Sequence, residues 1–278
     1  MIPLCSPQDA RRPTALALGS FDGLHAGHRR VIGQAIAGST AVPTVVSFWP
    51  HPREVLFGEA RLRLDLPSEK LELLQPLGIE QLVLVPLTTE LAQLSAEAFV
   101  NTVLLDTLQA QRIVVGANFR FGNKRSGDAD LLRQVAAARG VEVLLTEIVE
   151  DGNGRMSSSR IRAALDTGDL GTAKSLLGRP YLFRGRVVRG RGLGRELGWP
   201  TANLQVDGRK CLPAEGVYAA WAWREVEAPR AAVMNLGRQP TVDPEAPSAV
   251  EVHLLDVDLE LVGQPRPRPS PRPDTTSP

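Results

Sequence analysis

Short apolar runs alternate with amphipathic segments along the first part of the chain. The runs are TALALG, TVVSFW, QLVLVPL, RIVVG and VEVLLTEIV, and each has the length of a strand buried on both faces. The segments between them carry apolar residues three and four positions apart and predict helices, namely HRRVIGQAIAG, PSEKLELLQPLG, SAEAFVNTVLLDTL and DADLLRQVAAARG. Two further helical patterns, SSRIRAALDTG and DLGTAKSLLG, close the domain. This alternation predicts a doubly wound, Rossmann-like α/β domain over residues 14–178.

The pattern changes after Pro180. Segments such as YLFRGRVVRG, GVYAAWAWRE and SAVEVHLLDV alternate apolar and polar residues and are separated by turn residues. They predict a second domain over residues 181–263, built as a small antiparallel β-barrel or sandwich. Residues 264–278 are rich in proline, which cannot donate a hydrogen bond to a sheet, so we expect an extended, disordered tail there.

Composition narrows the class of protein. The 32 basic and 31 acidic side chains nearly cancel, which gives no whole-chain electrostatic reason to bind nucleic acid or a membrane surface. The chain has neither a run of about 18 apolar residues nor a signal-peptide layout, so we expect a soluble, cytoplasmic protein. Cys5 and Cys211 lie far apart and predict reduced thiols. The oligomeric state is left open.

The segment GSFDGLHAGH, residues 19–28, follows the first predicted strand and carries the clearest candidate chemistry. The first strand-to-helix turn of an open parallel sheet is a frequent ligand site, where glycines admit a close ligand and free helix amides attract anions. The segment could turn the chain, bind zinc or bind phosphate. His25 and His28 would share a helix face, but no third ligand with suitable spacing accompanies them, which favours phosphate over zinc.

This segment resembles the nucleotidyltransferase signature GxFDGxHxGH of the prokaryotic bifunctional riboflavin kinase/FAD synthetase family. It matches at every fixed position, namely Gly19, Phe21, Asp22, Gly23, His25, Gly27 and His28. The segments FWPHP, VGANFRFGNKRSGD and RMSSSRIR resemble further family blocks in the same order. The resemblance implies that the first domain is an FMN adenylyltransferase, which transfers AMP from Mg²⁺-bound ATP to FMN and gives FAD and pyrophosphate.

The resemblance also implies roles for individual residues of the first domain. It assigns catalysis to His28, and after it to His25 and Arg162. It assigns ATP binding to Gly19, Phe21, Asp22, Gly23, His25, His28, Ser158, Ser159 and Arg162. It assigns flavin binding to His51, Asn118, Phe119 and Phe121. Without the resemblance, the serines would simply cap a helix, the arginines would be solvated, and the two phenylalanines would divide between core and surface.

A second block, RGRVVRGRGLGRELGWPTANL, resembles the riboflavin kinase signature of the same family. The resemblance implies ATP-dependent phosphorylation of riboflavin to FMN by the second domain. It assigns ATP binding to Gly190, Gly194, Pro200, Thr201 and Asn203. The oxygens of Thr201 and Asn203 suit Mg²⁺, and Glu251 in VEVHLL occupies the position of the family's catalytic base. Taken alone, Glu251 would be a solvent-facing residue of an alternating strand.

The resemblance ends near Gly263, where the family's next strand, loop and helix are replaced by the proline-rich segment. We therefore expect an incomplete kinase domain with impaired activity. Two alternatives remain open at this point. One is a different nucleotidyltransferase with the same HxGH motif, against which the GWPTAN block argues. The other is a flavin-binding protein without catalytic activity.

Overall fold

The computed structural model describes residues 2–58, 62–189, 199–224, 227–237 and 250–255 of the chain. By their contacts these residues form two compact units. The first unit contains the described residues up to Arg184 together with residues 207–214, and the second contains the remainder. Residues 207–214 fall within the second domain as predicted from sequence, yet their contacts belong to the first unit. The proline-rich tail, residues 264–278, lies outside the described residues.

The first unit is built on a six-stranded parallel sheet. Its strands in chain order are β1 (Leu4–Cys5), β2 (Thr14–Leu18), β3 (Val42–Trp49), β4 (Gln81–Pro86), β5 (Ala110–Gly116) and β6 (Glu142–Thr146). In space they follow the order β1-β4-β3-β2-β5-β6, so the direction in which strands are added reverses between β2 and β5. The five strands predicted from apolar runs are all present, while β1 was not predicted.

Helices follow the strands. The α-helices are α1 (Ala26–Ile36), α2 (Pro52–Phe57), α3 (Pro67–Leu74), α4 (Thr89–Gln93), α5 (Ala96–Phe99), α6 (Ala129–Ala137), α7 (Ser158–Asp166) and α8 (Leu170–Leu177). The shorter elements are two 3₁₀ turns at Gln75–Leu77 and Asn123–Arg125, a π-type helix at Val100–Thr107 that continues α5, and a hairpin of β7 (Glu150–Asp151) and β8 (Gly154–Arg155). The predicted helices correspond to α1, α3, α5 with its continuation, α6, α7 and α8.

Both faces of the parallel sheet are covered, which explains why its strands are apolar throughout. Alternate residues of one strand enter different cores: Leu16 and Leu18 pack in one cluster with Phe99 and Leu132, whereas Ala17 packs in another with Ile32. This confirms the predicted α/β fold with a parallel sheet. A third cluster joins α7 and α8 to the buried Cys211 from residues 207–214. Cys5 and Cys211 are free thiols, as predicted, and both lie in the first unit.

The second unit contains a five-stranded antiparallel sheet. Its strands are β9 (Gly185–Val188), β10 (Ala202–Val206), β11 (Gly216–Ala222), β12 (Arg230–Leu236) and β13 (Val250–Leu254). They follow the order β11-β12-β13-β10-β9, and in the described part of the chain the sheet is not closed. The antiparallel architecture is therefore confirmed, whereas the barrel stays a prediction. No helix among the described residues is both long enough and apolar enough to span a membrane.

Candidate active sites

A cavity of about 1130 Å³ lies in the first unit at the carboxyl ends of the parallel strands. Its wall includes Gly19 after β2, Trp49 at the end of β3, and Ala117 after β5. Ligands of open α/β sheets bind where the strand order reverses, because the loops that leave two neighbouring strands diverge there. The cavity therefore occupies the position that the fold favours for a substrate.

The loop from β2 to α1 has an unusual backbone. Phe21, Gly23 and Leu24 have φ angles of 45°, 92° and 43°, in a region that most side chains disfavour. A Cβ atom on Gly23 would lie 2.8 Å from Cδ1 of Leu64. The backbone amide of Gly23 donates a hydrogen bond to Oδ2 of Asp65 at 2.9 Å. Gly23 therefore packs against Leu64 and Asp65 and does not line the cavity.

Asp22 holds this loop in place. Its Oδ1 accepts hydrogen bonds from the amides of Leu64 at 2.9 Å and Asp65 at 3.1 Å, and its Oδ2 pairs with Arg162. Arg162 also donates to the carbonyl of Leu62 at 3.2 Å. Arg162 does not line the cavity, although Asp22 does. The structure therefore places Arg162 as the counter-ion of Asp22.

His25 and His28 lie together on the cavity wall at the start of α1. Their imidazole rings stack with centroids 3.7 Å apart and planes inclined by 22°. A Cβ atom on Gly27 would lie only 3.2 Å from Cε1 and Nδ1 of His25, so a glycine leaves room for that ring. The edge of Phe21 contacts His28, with ring centroids 5.3 Å apart.

Both histidines are held neutral. Burial, followed by the charges of Arg155 and Arg29, lowers the pKa of His25 to about 4, although Asp22 opposes this shift. Burial and the neighbouring His25 lower the pKa of His28 well below its usual value. The Nδ1 atoms of both rings are buried and have no hydrogen-bond partner among the described residues. Such atoms are costly unless a ligand completes their hydrogen bonds.

An aromatic and polar group lies on another part of the wall, after β5. Phe119 and Phe121 stack with centroids 5.5 Å apart. With its amide oxygen turned towards Arg155, Asn118 accepts hydrogen bonds from that guanidinium at 2.7 and 2.9 Å. His51 also lines the cavity, and its amide donates to Glu54 at 2.8 Å. The four residues assigned to flavin binding therefore share one cavity with His25 and His28.

The start of α7 contacts the same loop. The hydroxyl of Ser157 caps the helix by accepting from the amide of Arg160 at 3.4 Å. The hydroxyl of Ser158 donates to the carbonyl of Asp22 at 2.7 Å, and both Ser158 and Ser159 line the cavity. Arg160 is turned to Asp151, which it contacts at 2.9 Å. Ser158 and Ser159 thus reach the site, while Arg160 and Arg162 pair with carboxylates of the protein.

Sequence reasoning assigned no role to Lys70 and Arg155, which are among the basic residues of the cavity wall. Lys70 belongs to the predicted helix PSEKLELLQPLG, where a lysine is usually solvated. Arg155 begins the block RMSSSRIR but carries no individual assignment. Only the folded chain turns both side chains towards the histidines.

In the second unit, sheet pairing aligns the predicted kinase residues. Glu251 on β13 lies directly opposite Asn203 on β10 and Asn235 on β12. Directly paired residues of an antiparallel sheet project from the same face, so these three polar side chains form a row. His253 lies 2.8 Å through its Nδ1 from the carbonyl of Pro200, next to Thr201. Gly190 and Gly194 lie outside the described residues.

Two family models match the chain. The model described as FAD synthetase matches residues 7–160, and the model described as riboflavin kinase matches residues 177–266. The first covers most of the parallel-sheet unit, and the second covers every described strand of the antiparallel sheet.

Curated relatives match over nearly the whole chain. The bifunctional riboflavin kinase/FMN adenylyltransferase of Escherichia coli K12 is 37% identical over 253 residues, which cover 90% of this chain and 80% of the relative. The protein of the same name from Pseudomonas fluorescens is 36% identical over 249 residues, 88% of this chain and 79% of the relative. A crystal structure titled macrolide-efflux protein from Streptococcus pneumoniae is 30% identical, covers 94% of this chain and 86% of its own, and superposes with a TM-score of 0.79.

Proposed function

This chain belongs to the bifunctional riboflavin kinase/FMN adenylyltransferase family, and on that premise we propose that its first unit forms FAD by transferring AMP from ATP to FMN. One observation carries the proposal. Two stacked, neutral imidazoles lie on the wall of a cavity at the reversal of strand order. From this wall their N–H groups can donate hydrogen bonds to phosphate oxygens in the cavity.

In the proposed reaction, a phosphate oxygen of FMN attacks the α-phosphorus of ATP. A new P–O bond forms, the bond from the α-phosphorus to the bridging oxygen breaks, and pyrophosphate leaves with its electron pair. His28, and next to it His25, donate hydrogen bonds to the phosphate that is transferred, where negative charge develops. A neutral imidazole still carries one N–H group, so each ring can donate such a hydrogen bond.

The remaining cavity residues hold the two substrates in line. Phe119 and Phe121 offer an aromatic surface to the isoalloxazine ring, and Asn118 and His51 offer polar contacts beside it. Gly19, Phe21, Ser158 and Ser159 surround ATP. Asp22 and Gly23 fix the shape of the loop, and Arg162 acts through Asp22.

For the second unit we propose phosphorylation of riboflavin by ATP. Glu251 accepts the proton of the ribityl hydroxyl, whose oxygen attacks the γ-phosphorus of ATP and displaces ADP. The row that Glu251 forms with Asn203 supports this assignment. The proposal includes closure of the antiparallel sheet into a small barrel. Gly190 and Gly194, which the family resemblance assigns to ATP binding, lie outside the described residues.

We assign Mg²⁺ to the second unit on the chemistry of its donors. The hydroxyl of Thr201 and the amide oxygen of Asn203 are hard oxygen donors of the kind that Mg²⁺ prefers. When bound, the ion would neutralise charge on the phosphates of ATP. In the first unit, Mg²⁺ enters as the usual companion of ATP.

A two-arm assay tests both proposals. The purified full-length chain is incubated with ATP and Mg²⁺, and with either FMN or riboflavin, and the flavins are separated by chromatography. We expect FAD from FMN, and from riboflavin we expect FMN together with FAD made from it. The amount of product formed from riboflavin tests the impaired kinase activity that the sequence predicts. Failure to form FAD from FMN overturns the transferase assignment and favours a flavin-binding protein without catalysis. Glu251→Gln should abolish phosphorylation of riboflavin and leave FAD synthesis from FMN unchanged.

A further inference from the structure

Lys70 is a buried cation on the wall of the transferase cavity. It belongs to α3, and only 7% of its surface is exposed. Its Nζ donates to the carbonyl of Ser20 at 3.0 Å, in the loop that carries His25 and His28. An ammonium has three N–H donors. In the described part of the chain, Nζ of Lys70 makes one hydrogen bond, the one to Ser20.

No carboxylate among the described residues forms an ion pair with Lys70. Asp22 and Asp65 are near enough to raise its pKa, but burial, which lowers that pKa, is the larger effect. Asp22 pairs with Arg162, and Asp65 pairs with Arg179 at 3.0 Å. The nearby negative charges are thus already matched by arginines.

A buried cation without a counter-ion is destabilising unless a ligand supplies the opposite charge. Arg155, on the same wall, is similarly engaged by the neutral amide of Asn118. Lys70 also lies close enough to His28 to lower the pKa of that imidazole. The charge of Lys70 therefore lies near the histidines to which the proposed reaction brings the phosphate groups.

We infer that Lys70 is a phosphate-binding residue of the adenylyltransferase site, which donates from Nζ to a phosphate group of ATP or of FMN. This inference rests on the proposed function of the first unit. Whether ATP or FMN supplies it, the group bound by Lys70 is a phosphate oxygen close to the carbonyl of Ser20. The two sources, the triphosphate of ATP and the monophosphate of FMN, are separated by the experiment.

The decisive variant is Lys70→Met, which keeps the length of the side chain and removes its charge. The carbonyl of Ser20 keeps a partner in this variant, because the hydroxyl of Ser47 donates to it at 3.1 Å. Lys174→Met, at an exposed lysine of α8, is the matched control. Steady-state FAD synthesis is measured with ATP and FMN varied separately, and thermal unfolding is followed with inorganic pyrophosphate or FMN added one at a time.

We expect Lys70→Met to lower kcat/KM by roughly 10- to 100-fold for one substrate, as for the loss of a charge-assisted donor. The melting temperature without ligand should equal or exceed that of the wild type, since an uncompensated buried charge is gone. A larger KM for ATP, with a smaller stabilisation by pyrophosphate, assigns the contact to the triphosphate. A larger KM for FMN, with a smaller stabilisation by FMN, assigns it to the flavin phosphate.

The inference is overturned if Lys70→Met keeps both KM values and kcat within about twofold of the Lys174→Met control. It is also overturned if the variant melts below the wild type while both ligands stabilise it as they stabilise the wild type, because Lys70 would then be structural. A wild-type chain that forms no FAD overturns the proposed function instead. The ligand-dependent melting temperatures still report on Lys70 in that case.

Discussion

The imidazoles of His25 and His28 stack 3.7 Å apart, and burial holds both rings neutral. Two protonated rings at this distance would repel each other, so the stack itself favours the neutral state. The two histidines are three positions apart at the start of α1, and both line the cavity at the carboxyl ends of the parallel strands. It makes His28 the first residue to test.

Replacing His28 with alanine should slow FAD synthesis by about 100-fold or more, because one donor to the transferred phosphate is lost. Phosphorylation of riboflavin should continue at the wild-type rate, since the second unit supplies its own residues. Both rates can be measured on the same preparation of protein. A normal rate of FAD synthesis would remove His28 from the mechanism.

Glycine at position 27 should be required for the position of His25. In Gly27→Ala the new methyl group would lie 3.2 Å from the ring of His25, and the ring must shift. We expect slower FAD synthesis by about 10-fold, of the order expected when a catalytic group is slightly misplaced. Gly33→Ala on the same helix meets no atom within 4 Å and should keep full activity. Equal activities of the two variants would contradict this prediction.

The stability of the first unit should fall as the pH decreases below about 6.5. The pKa of His25 is about 4 in the folded chain and near its ordinary value when unfolded, so the unfolded chain binds the proton first. The stabilisation is complete above pH 6.5 and is lost between pH 6.5 and 4, on the order of 3 kcal/mol for this group. The free energy of unfolding measured in urea should fall more over this pH interval for the wild type than for His25→Gln. Parallel pH profiles would contradict the assigned pKa.

A buried ion pair connects residues 207–214 to helix α3 of the first unit. Nζ of Lys210 contacts Oε2 of Glu69 at 2.6 Å, and the side chains are 0% and 2% exposed. Lys210→Met would leave the carboxylate of Glu69 buried without a counter-ion, which should destabilise the unit by about 3–5 kcal/mol. The measurement is the urea concentration at which FAD synthesis is lost.

Two controls accompany this variant. Adding Glu69→Gln to Lys210→Met should recover much of the stability, because the unpaired charge is then removed. Arg139→Met, which breaks an ion pair with Asp106 that is half exposed, should change the stability by about 0.5 kcal/mol or less. A Lys210→Met variant no weaker than Arg139→Met would show that the buried pair does not stabilise the unit.

Much of this protein follows from its sequence. Apolar runs of strand length, separated by helical periodicity, determined the parallel sheet, since such runs are stable only when both faces are covered. The GSFDGLHAGH segment predicted a phosphate site at the first strand-to-helix turn, and the companion blocks identified the family. The alternating pattern after Pro180 determined an antiparallel sheet.

Other features depend on tertiary contacts, which a linear pattern does not contain. The pairing of Arg162 with Asp22, the burial of Lys70 beside the histidines, and the place of residues 207–214 in the first unit all join residues distant in sequence. Nothing local separates Lys70 from a solvated lysine, or Lys210 from an exposed one. Burial and the nearest charges determine what each side chain does, and both are fixed only when the chain folds.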